Sequence, residues 1–425
     1  MKLKKDEIAM LEGKSGLAVQ RAMEFLVQYA EALGAEEFVD VHNVCGTLSN
    51  TTPFLDTLMG DFDGIEHLMS ELNYNCRDVK EVPRVNVFSS QLQHGLDPDV
   101  WEKQYVSREK FEINAKDEEL KRKMNVNLIC TCTPYLAGNL PVFGEHCAWM
   151  ESSAVAYING VMGARTNCEG RESSNCSMLT GKTPYWGLHL PENRLGDYLI
   201  DVQFPVENVR DWGLLGYFGG RMVGEKIPVF DNIKSRPIME SYKHAAAGGA
   251  SSGGVEMFHV IGRTPEARTF EEAFGGKKPL ERIVLDEKGM RECYDLLNTA
   301  KSDKVDFVML GCPHYSLRQI WETALMLEGK KIHENVEMWI FIPRVLKEVA
   351  DRNGYTKMIE DSGALLMADT CPALGRMKPP NAKVIATDSV KQTHYIPGIF
   401  GAESFFGSAE ECVRAAITGR WEGKF

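Results

Sequence analysis

From about residue 300 onward, short apolar runs alternate with segments whose apolar positions recur every three to four residues. The runs VDFVML (305–310), EMWIFI (337–342), GALLMA (363–368) and KVIAT (383–387) are brief and largely apolar on both faces, as strands buried in a parallel sheet are. Between them, MRECYDLLNTA, LRQIWETALML, PRVLKEVADRNG and SAEECVRAAITG carry helical spacing. This rhythm predicts βαβ units, and hence an α/β fold. Residues 1–75 read as helices around the apolar segment EFVDVHNVCGT (37–47), and RVNVFSSQLQHGLDPDVW (84–101) as a strand, a loop and a helix start. WMESSAVAYINGVMGAR (149–165) mixes small and apolar residues too thoroughly for a surface helix, so its Glu, Ser and Asn need buried partners or a ligand. The small-residue run HAAAGGASSGGVEMFHVIG (244–262) lacks the GxxxxGK[ST] pattern of a phosphate loop, and predicts a helix packed closely against a sheet. No repeat or low-complexity linker interrupts the chain.

Composition narrows the class. At 425 residues the chain has room for about three domains. Its 44% hydrophobic and 25% charged residues are those of a soluble globular protein. With 48 basic and 60 acidic side chains the net charge is −12, which argues against nucleic acid or an anionic membrane as partner. No apolar stretch approaches the roughly 18–20 residues that span a bilayer, and the lysine-rich N-terminus lacks a cleavable apolar core, so a cytoplasmic location is expected.

Eleven cysteines without a CxxC pair support neither a disulfide framework nor a zinc ribbon. Cys45, Cys76, Cys293 and Cys412 read as small buried hydrophobes. Three others share one local plan. In VNLICTCTPYLAG, VDFVMLGCPHYS and GALLMADTCPALG an apolar run ends in a small or polar residue, then Cys132, Cys312 or Cys371, with proline close behind. Proline cannot extend a strand, so each thiol is held at a turn where the chain leaves the sheet, and ligands of α/β folds gather there. Three thiolates from distant positions suit an iron–sulfur cluster or a single iron with an open position. Farther on, Arg165 and Asn167 in GARTN offer a guanidinium and an amide suited to gripping a carboxylate or phosphate.

The stretches TCTPYLAGNLPVFGEHCAWMESSAVAYINGVMGARTN, GKTPYWGLHLPENR, LGCPHYSL, ADTCP and ATDSVKQTHYIPG, in this order from about residue 40 to the C-terminus, resemble the aconitase X family. The resemblance implies an aconitase-like α/β architecture of three α/β/α domains around a central cleft, without the swivelling fourth domain. We expect these domains at 1–200, 201–300 and 301–425. It implies iron or an iron–sulfur cluster of unspecified nuclearity on Cys132, Cys312 and Cys371. It further implies a hydro-lyase that dehydrates a small hydroxy acid of the mevalonate 5-phosphate or cis-3-hydroxy-L-proline class. A separate small subunit is expected to supply the swivelling domain and a catalytic serine. On this reading Arg165, Asn167 and Lys391 anchor substrate, and Ser152 and Ser153 either join them or merely pack. His42, His146 and His314 serve as acid–base or orienting groups, with Glu151 and Glu145 orienting them or holding substrate hydroxyls.

The chain departs from the family in places. Thr166-Asn167-Cys168-Glu169-Gly170-Arg171 stands where Thr-Asn-Arg-Glu-Gly-Gly is usual, GTLSNTTPF follows the first histidine region, VNVFSSQL replaces a Thr-Thr-Leu-Asn pattern, and Asp388 replaces Asn. These changes cluster at expected substrate contacts, so the metal site is better defined than the substrate. Cys168 is a further ligand, a reactive thiol or, most simply, a buried spectator. Two other classes compete: a cysteine-ligated metal hydrolase, which predicts zinc and no visible absorbance, and a non-enzymatic iron sensor binding RNA, which the acidic charge disfavours.

Overall fold

The computed structural model describes residues 1–47 and 82–425. Cys76 and the part of GTLSNTTPF beyond Thr47 lie outside the described residues. The N-terminal third opens with helices Lys5–Leu11 and Leu17–Leu33. Strands β1 (Phe38–Asp40), β2 (Asn43–Gly46), β3 (Phe88–Gln91), β4 (Cys147–Trp149) and β5 (Lys182–Pro184) follow. β2 lies between β3 and β4 in a parallel sheet, while β1 and β5 form a separate antiparallel pair. The middle segment adds β6 (Tyr198–Val202), β7 (Pro228–Asp231), β8 (His259–Val260) and β9 (Glu281–Leu285), parallel in the order β8-β7-β6-β9. The C-terminal segment carries β10 (Phe307–Leu310), β11 (Glu337–Ile342), β12 (Leu365–Ala368), β13 (Val384–Thr387) and β14 (Glu403–Phe406), parallel in the order β12-β11-β10-β13-β14. Helices alternate with these strands as the periodicity predicts, and every residue of β10 and β13 is buried.

The expected buried helix after Trp149 is present as Ser152–Tyr157, continuing through a wide turn at Ile158–Met162. Two expectations change. The run before Cys132 forms no strand: it touches β3 only through a bridge between Ser90 and Asn127, and Cys130 adopts a positive φ of 42° that no ladder accommodates. The small-residue run does become a helix, Met239–Gly253, but its close partner is the helix Val209–Val223 rather than a sheet. A Cβ on Gly216 would overlap the Ala245 backbone, and one on Gly248 would overlap Gly213 and Tyr217. The glycines let the two helix backbones approach where any side chain would separate them.

Candidate active site

Cys312 and Cys371 follow β10 and β12, which flank β11 in one parallel sheet, so both thiols emerge at the same edge. Gly311, with a φ of 96°, turns the chain out of β10 so near β11 that a Cβ there would overlap the Phe341 backbone. Pro313 and Pro372 follow the two cysteines, and Pro372 starts the short helix Pro372–Gly375. The loop carrying Cys132 comes from the N-terminal third. His314 joins it to the other two: its N–H donates to Cys132 Sγ at 3.3 Å. Its Nε2 lies 2.8 Å from the Thr370 carbonyl, and its Nδ1 2.9 Å from Thr131 Oγ1. A carbonyl only accepts, so the proton sits on Nε2, and Nδ1 accepts from the Thr131 hydroxyl. Burial pushes all three thiols up, Cys312 to about 12, and the charges of Cys312 and Cys371 push Cys132 up further.

Beside the thiols stands an ion pair. Glu151 caps the buried helix at the end of β4, and Lys391 lies in the first turn of the helix Val390–Phe400 after β13. Lys391 Nζ lies 2.6 Å from Glu151 Oε1, 3.2 Å from Ser152 Oγ and 3.3 Å from Ser153 Oγ. The Ser153 hydroxyl donates to the same Glu151 oxygen at 2.9 Å. Burial alone would raise Glu151, but the Lys391 ammonium more than offsets it and holds the carboxyl below its usual range. Both charges act on Cys312 and Cys371, which places the pair next to the thiols. Ser152 also lines a cavity of about 740 Å³ shared with Asn167, Cys168, Trp186, Glu256 and Lys278.

Of the remaining expected residues, His314 belongs to this centre, Asn167 and Cys168 line the adjoining cavity, and the others lie apart. His42 is exposed at the start of β2, whereas Glu151 lies beyond the opposite end of the paired strand β4; a place for His42 in the chemistry is therefore set aside. His146 sits at the start of β4 opposite Arg165, with its Nδ1 2.9 Å from Nδ1 of His189. Arg165 donates to the His189 carbonyl at 3.3 Å. Burial, with Arg165 and Arg194 nearby, pushes His146 down; burial, His146 and both guanidiniums bring His189 to about 3. Asn167 braces a neighbouring turn, accepting from Leu188 N at 2.8 Å and donating to Trp186 O at 3.3 Å, and it lines the cavity beside Ser152. His314, with both ring nitrogens engaged, clamps the two cysteine loops rather than standing free as an acid or base. Glu145 accepts from Val142 N at 2.9 Å, away from the ion pair. Cys168 donates to the Met150 carbonyl at 3.2 Å on the cavity wall.

Two neighbours, Ser389 and Lys243, were not anticipated, and Asp388, noted in the sequence only as a departure from the family pattern, joins them. Ser389 and Asp388 lie inside the motif ATDSVK; Ser389 hydrogen-bonds Cys312, and Asp388 accepts from the Tyr315 hydroxyl. Lys243, fully buried behind Pro313, gave no sign in the sequence, because an isolated lysine reads as surface.

The donor set fits an iron or iron–sulfur group. Each sulfur has a protein hydrogen-bond donor: His314 N–H for Cys132, Ser389 for Cys312, and the N–H groups of Ala373 and Leu374 for Cys371. Donors of this kind support thiolates that ligate such groups. Thiols pushed up by burial become thiolates only where a cation compensates. No three Cys, His, Asp or Glu groups among the described residues form a ready-made ligand set, so the fit is one of donor chemistry.

Family models for the first, second and third domains of aconitase X match residues 1–192, 196–295 and 305–418. The chain is 34% identical over 422 residues to the phosphomevalonate dehydratase large subunit of Methanocaldococcus jannaschii, covering 97% of this chain and 100% of that one. It is 31% identical to the cis-3-hydroxy-L-proline dehydratase of Hypocrea jecorina, covering 100% of this chain and 70% of the other. The crystal structure of holo-form aconitase X from Thermococcus kodakaraensis superposes with a TM-score of 0.82 at 32% identity, covering 98% of this chain and 100% of that one. Related along nearly its whole length in sequence and in fold, the chain belongs to the aconitase X family and is a dehydratase, a hydro-lyase.

Proposed function

We propose that this chain is the iron-dependent catalytic large subunit of a dehydratase for a small hydroxy acid of the mevalonate 5-phosphate or cis-3-hydroxy-L-proline class. The reading is supported by the His314 N–H bond that ties Cys132 to the turn after Cys312, and by the Glu151–Lys391 pair, whose Glu151 charge acts on Cys132, Cys312 and Cys371 alike. These thiols would hold the iron or iron–sulfur group, which when bound supplies a Lewis acid for the departing hydroxyl. Lys391 is placed to bind the substrate carboxylate and to stabilise the enolate-like charge that grows as the α-proton leaves. Glu151 and the Ser152 and Ser153 hydroxyls hold the ammonium in position until substrate arrives. The Glu151 and Lys391 side chains are only about 15% exposed, and this partial removal from water strengthens their attraction. The cavity reaching Ser152 offers space for the rest of the substrate. Its wall carries Cys168, one of the departures from the family pattern, so substrate choice within the class is expected to depend on it.

A separate small subunit would bring the proton-abstracting serine. Support comes from the large-subunit names of several relatives. The three parallel sheets and the three family-model spans support domains near 1–200, 201–300 and 301–425. A cytoplasmic setting would keep the thiols reduced; no helix among the described residues is long and apolar enough to cross a membrane.

The test is anaerobic purification with and without the small subunit, followed by metal analysis, a visible spectrum and a screen of hydroxy acids for water loss. Iron with visible absorbance is expected, with loss of both in Cys132→Ser, Cys312→Ser and Cys371→Ser. Full metal content in all three variants would sink the site, and colourless zinc would favour a hydrolase.

A further inference from the structure

Lys243 lies on the helix Met239–Gly253 and is wholly buried. Its ammonium donates to the Pro313 carbonyl at 3.3 Å, the His314 carbonyl at 2.8 Å and Gln319 Oε1 at 2.5 Å. All three acceptors are neutral, although a buried ammonium is costly unless negative charge stands nearby. Around it, Glu240 accepts from the Ser316 hydroxyl, Asp388 accepts from Tyr315, and the Tyr315 ring lies 5.5 Å from Nζ. The adjacent His244 contacts Gln319 at 3.3 Å, and its buried ring is held neutral. Besides burial, the charges that act on Lys243 are, largest first, those of Glu240, Asp388, Cys132 and Cys312.

We infer that Lys243 is a positioning residue for the metal centre, clamping the Cys312–Pro313–His314 turn and supplying the countercharge to its thiolates. The inference rests on the iron-site reading for its charge, but not for its clamp. Pro313 and His314 directly follow Cys312, and His314 in turn donates to Cys132 and contacts Thr370 beside Cys371. One ammonium from the middle segment thereby fixes the backbone from which all three cysteine loops take their register. Its charge also opposes the negative charge that three thiolates bring into a buried site.

The test uses the full chain as Lys243→Met, which removes clamp and charge, and as Gln319→Leu, which removes one acceptor and keeps the charge. In the reduced, iron-free protein, iodoacetamide labelling of Cys312 read by peptide mass spectrometry should rise about tenfold in Lys243→Met, with buried Cys293 as the fold control. After anaerobic reconstitution, the reduction midpoint of the iron centre should move to a more negative potential in Lys243→Met and stay in place in Gln319→Leu, a difference that loosened packing alone would not produce. Wild-type labelling of Cys312 in folded Lys243→Met overturns the clamp, and an unshifted midpoint overturns the countercharge. Should Lys243→Met fail to fold, Gln319→Leu decides: unchanged Cys312 labelling overturns the clamp. A wild-type chain that takes up no iron removes the iron reading and the countercharge together, while labelling still judges the clamp.

Discussion

Glu169 lies two residues after the GARTN motif, with one carboxylate oxygen 3.3 Å from the Thr183 hydroxyl and the other buried without a partner. Burial lifts it to about 7, against partial compensation from Ser173 and Thr183. Its folded value is raised, so its contribution to stability is complete below the unfolded value near 4.5 and is lost as pH rises through about 7. Glu169→Gln removes that titration. Urea midpoints measured from pH 5 to 8 should fall more steeply in the wild type than in the variant, with a difference on the order of 3 kcal/mol at pH 8. Parallel pH profiles would overturn the assignment. The same residue scale separates the histidines. His314 has no free ring nitrogen, so its contribution is to hold two loops together, whereas His42 stands in solvent.

At the scale of elements, the helices Val209–Val223 and Met239–Gly253 set how near Lys243 comes to the cysteine turn. Their glycines bring backbone against backbone. Gly216→Val would force a side chain into the Ala245 backbone, so a loss of about 3 kcal/mol or more is expected in urea or thermal unfolding. Gly398→Ala is the control, since nothing stands within 4 Å of its Cβ position, and a helical Gly→Ala change there should be neutral or gain up to about 1 kcal/mol. If Gly216→Val proves as mild as the control, the close approach does not govern stability. The ends of β10 and β12 work differently: buried strands lead through Gly311 and Asp369, both at positive φ, into turns that prolines prevent from rejoining the sheet.

Across the whole molecule, the site is assembled from chain segments far apart in sequence. Glu151 meets Lys391, Thr131 meets His314, and Lys243 meets the His314 carbonyl. Arg344 adds a tie from the C-terminal segment to the N-terminal one, reaching Asp97 at 2.8 Å as well as Asp99 and Asp369. Among the described residues no free acid or base stands at the thiols: His314 is engaged and Glu151 is paired. The chain alone is therefore expected to bind iron and hydroxy acid without eliminating water, and to gain dehydration when the small subunit is added, read by ultraviolet absorbance of the unsaturated product. Full turnover by the chain alone would remove the need for a partner serine.

Much of this was written locally along the chain. Apolar runs with proline behind a cysteine marked Cys312 and Cys371 because a strand's end and its turn are decided by neighbouring residues, and ESSA and SVK carried Glu151, Ser152 and Lys391 within quoted motifs. Cys132 shared the pattern without the strand, since Asn127 and Cys130 adopt a bridge and a positive φ instead of a ladder. What sequence could not specify was which distant groups would meet. Lys243 is one lysine among many until the helix pair buries it, and the GARTN motif does not reveal that Asn167 braces the 186–188 turn. His314 is a free base until two loops engage its nitrogens. Strand, turn and thiol are properties of a few consecutive residues, whereas pairing, burial and charge compensation belong to segments that only the folded chain brings together.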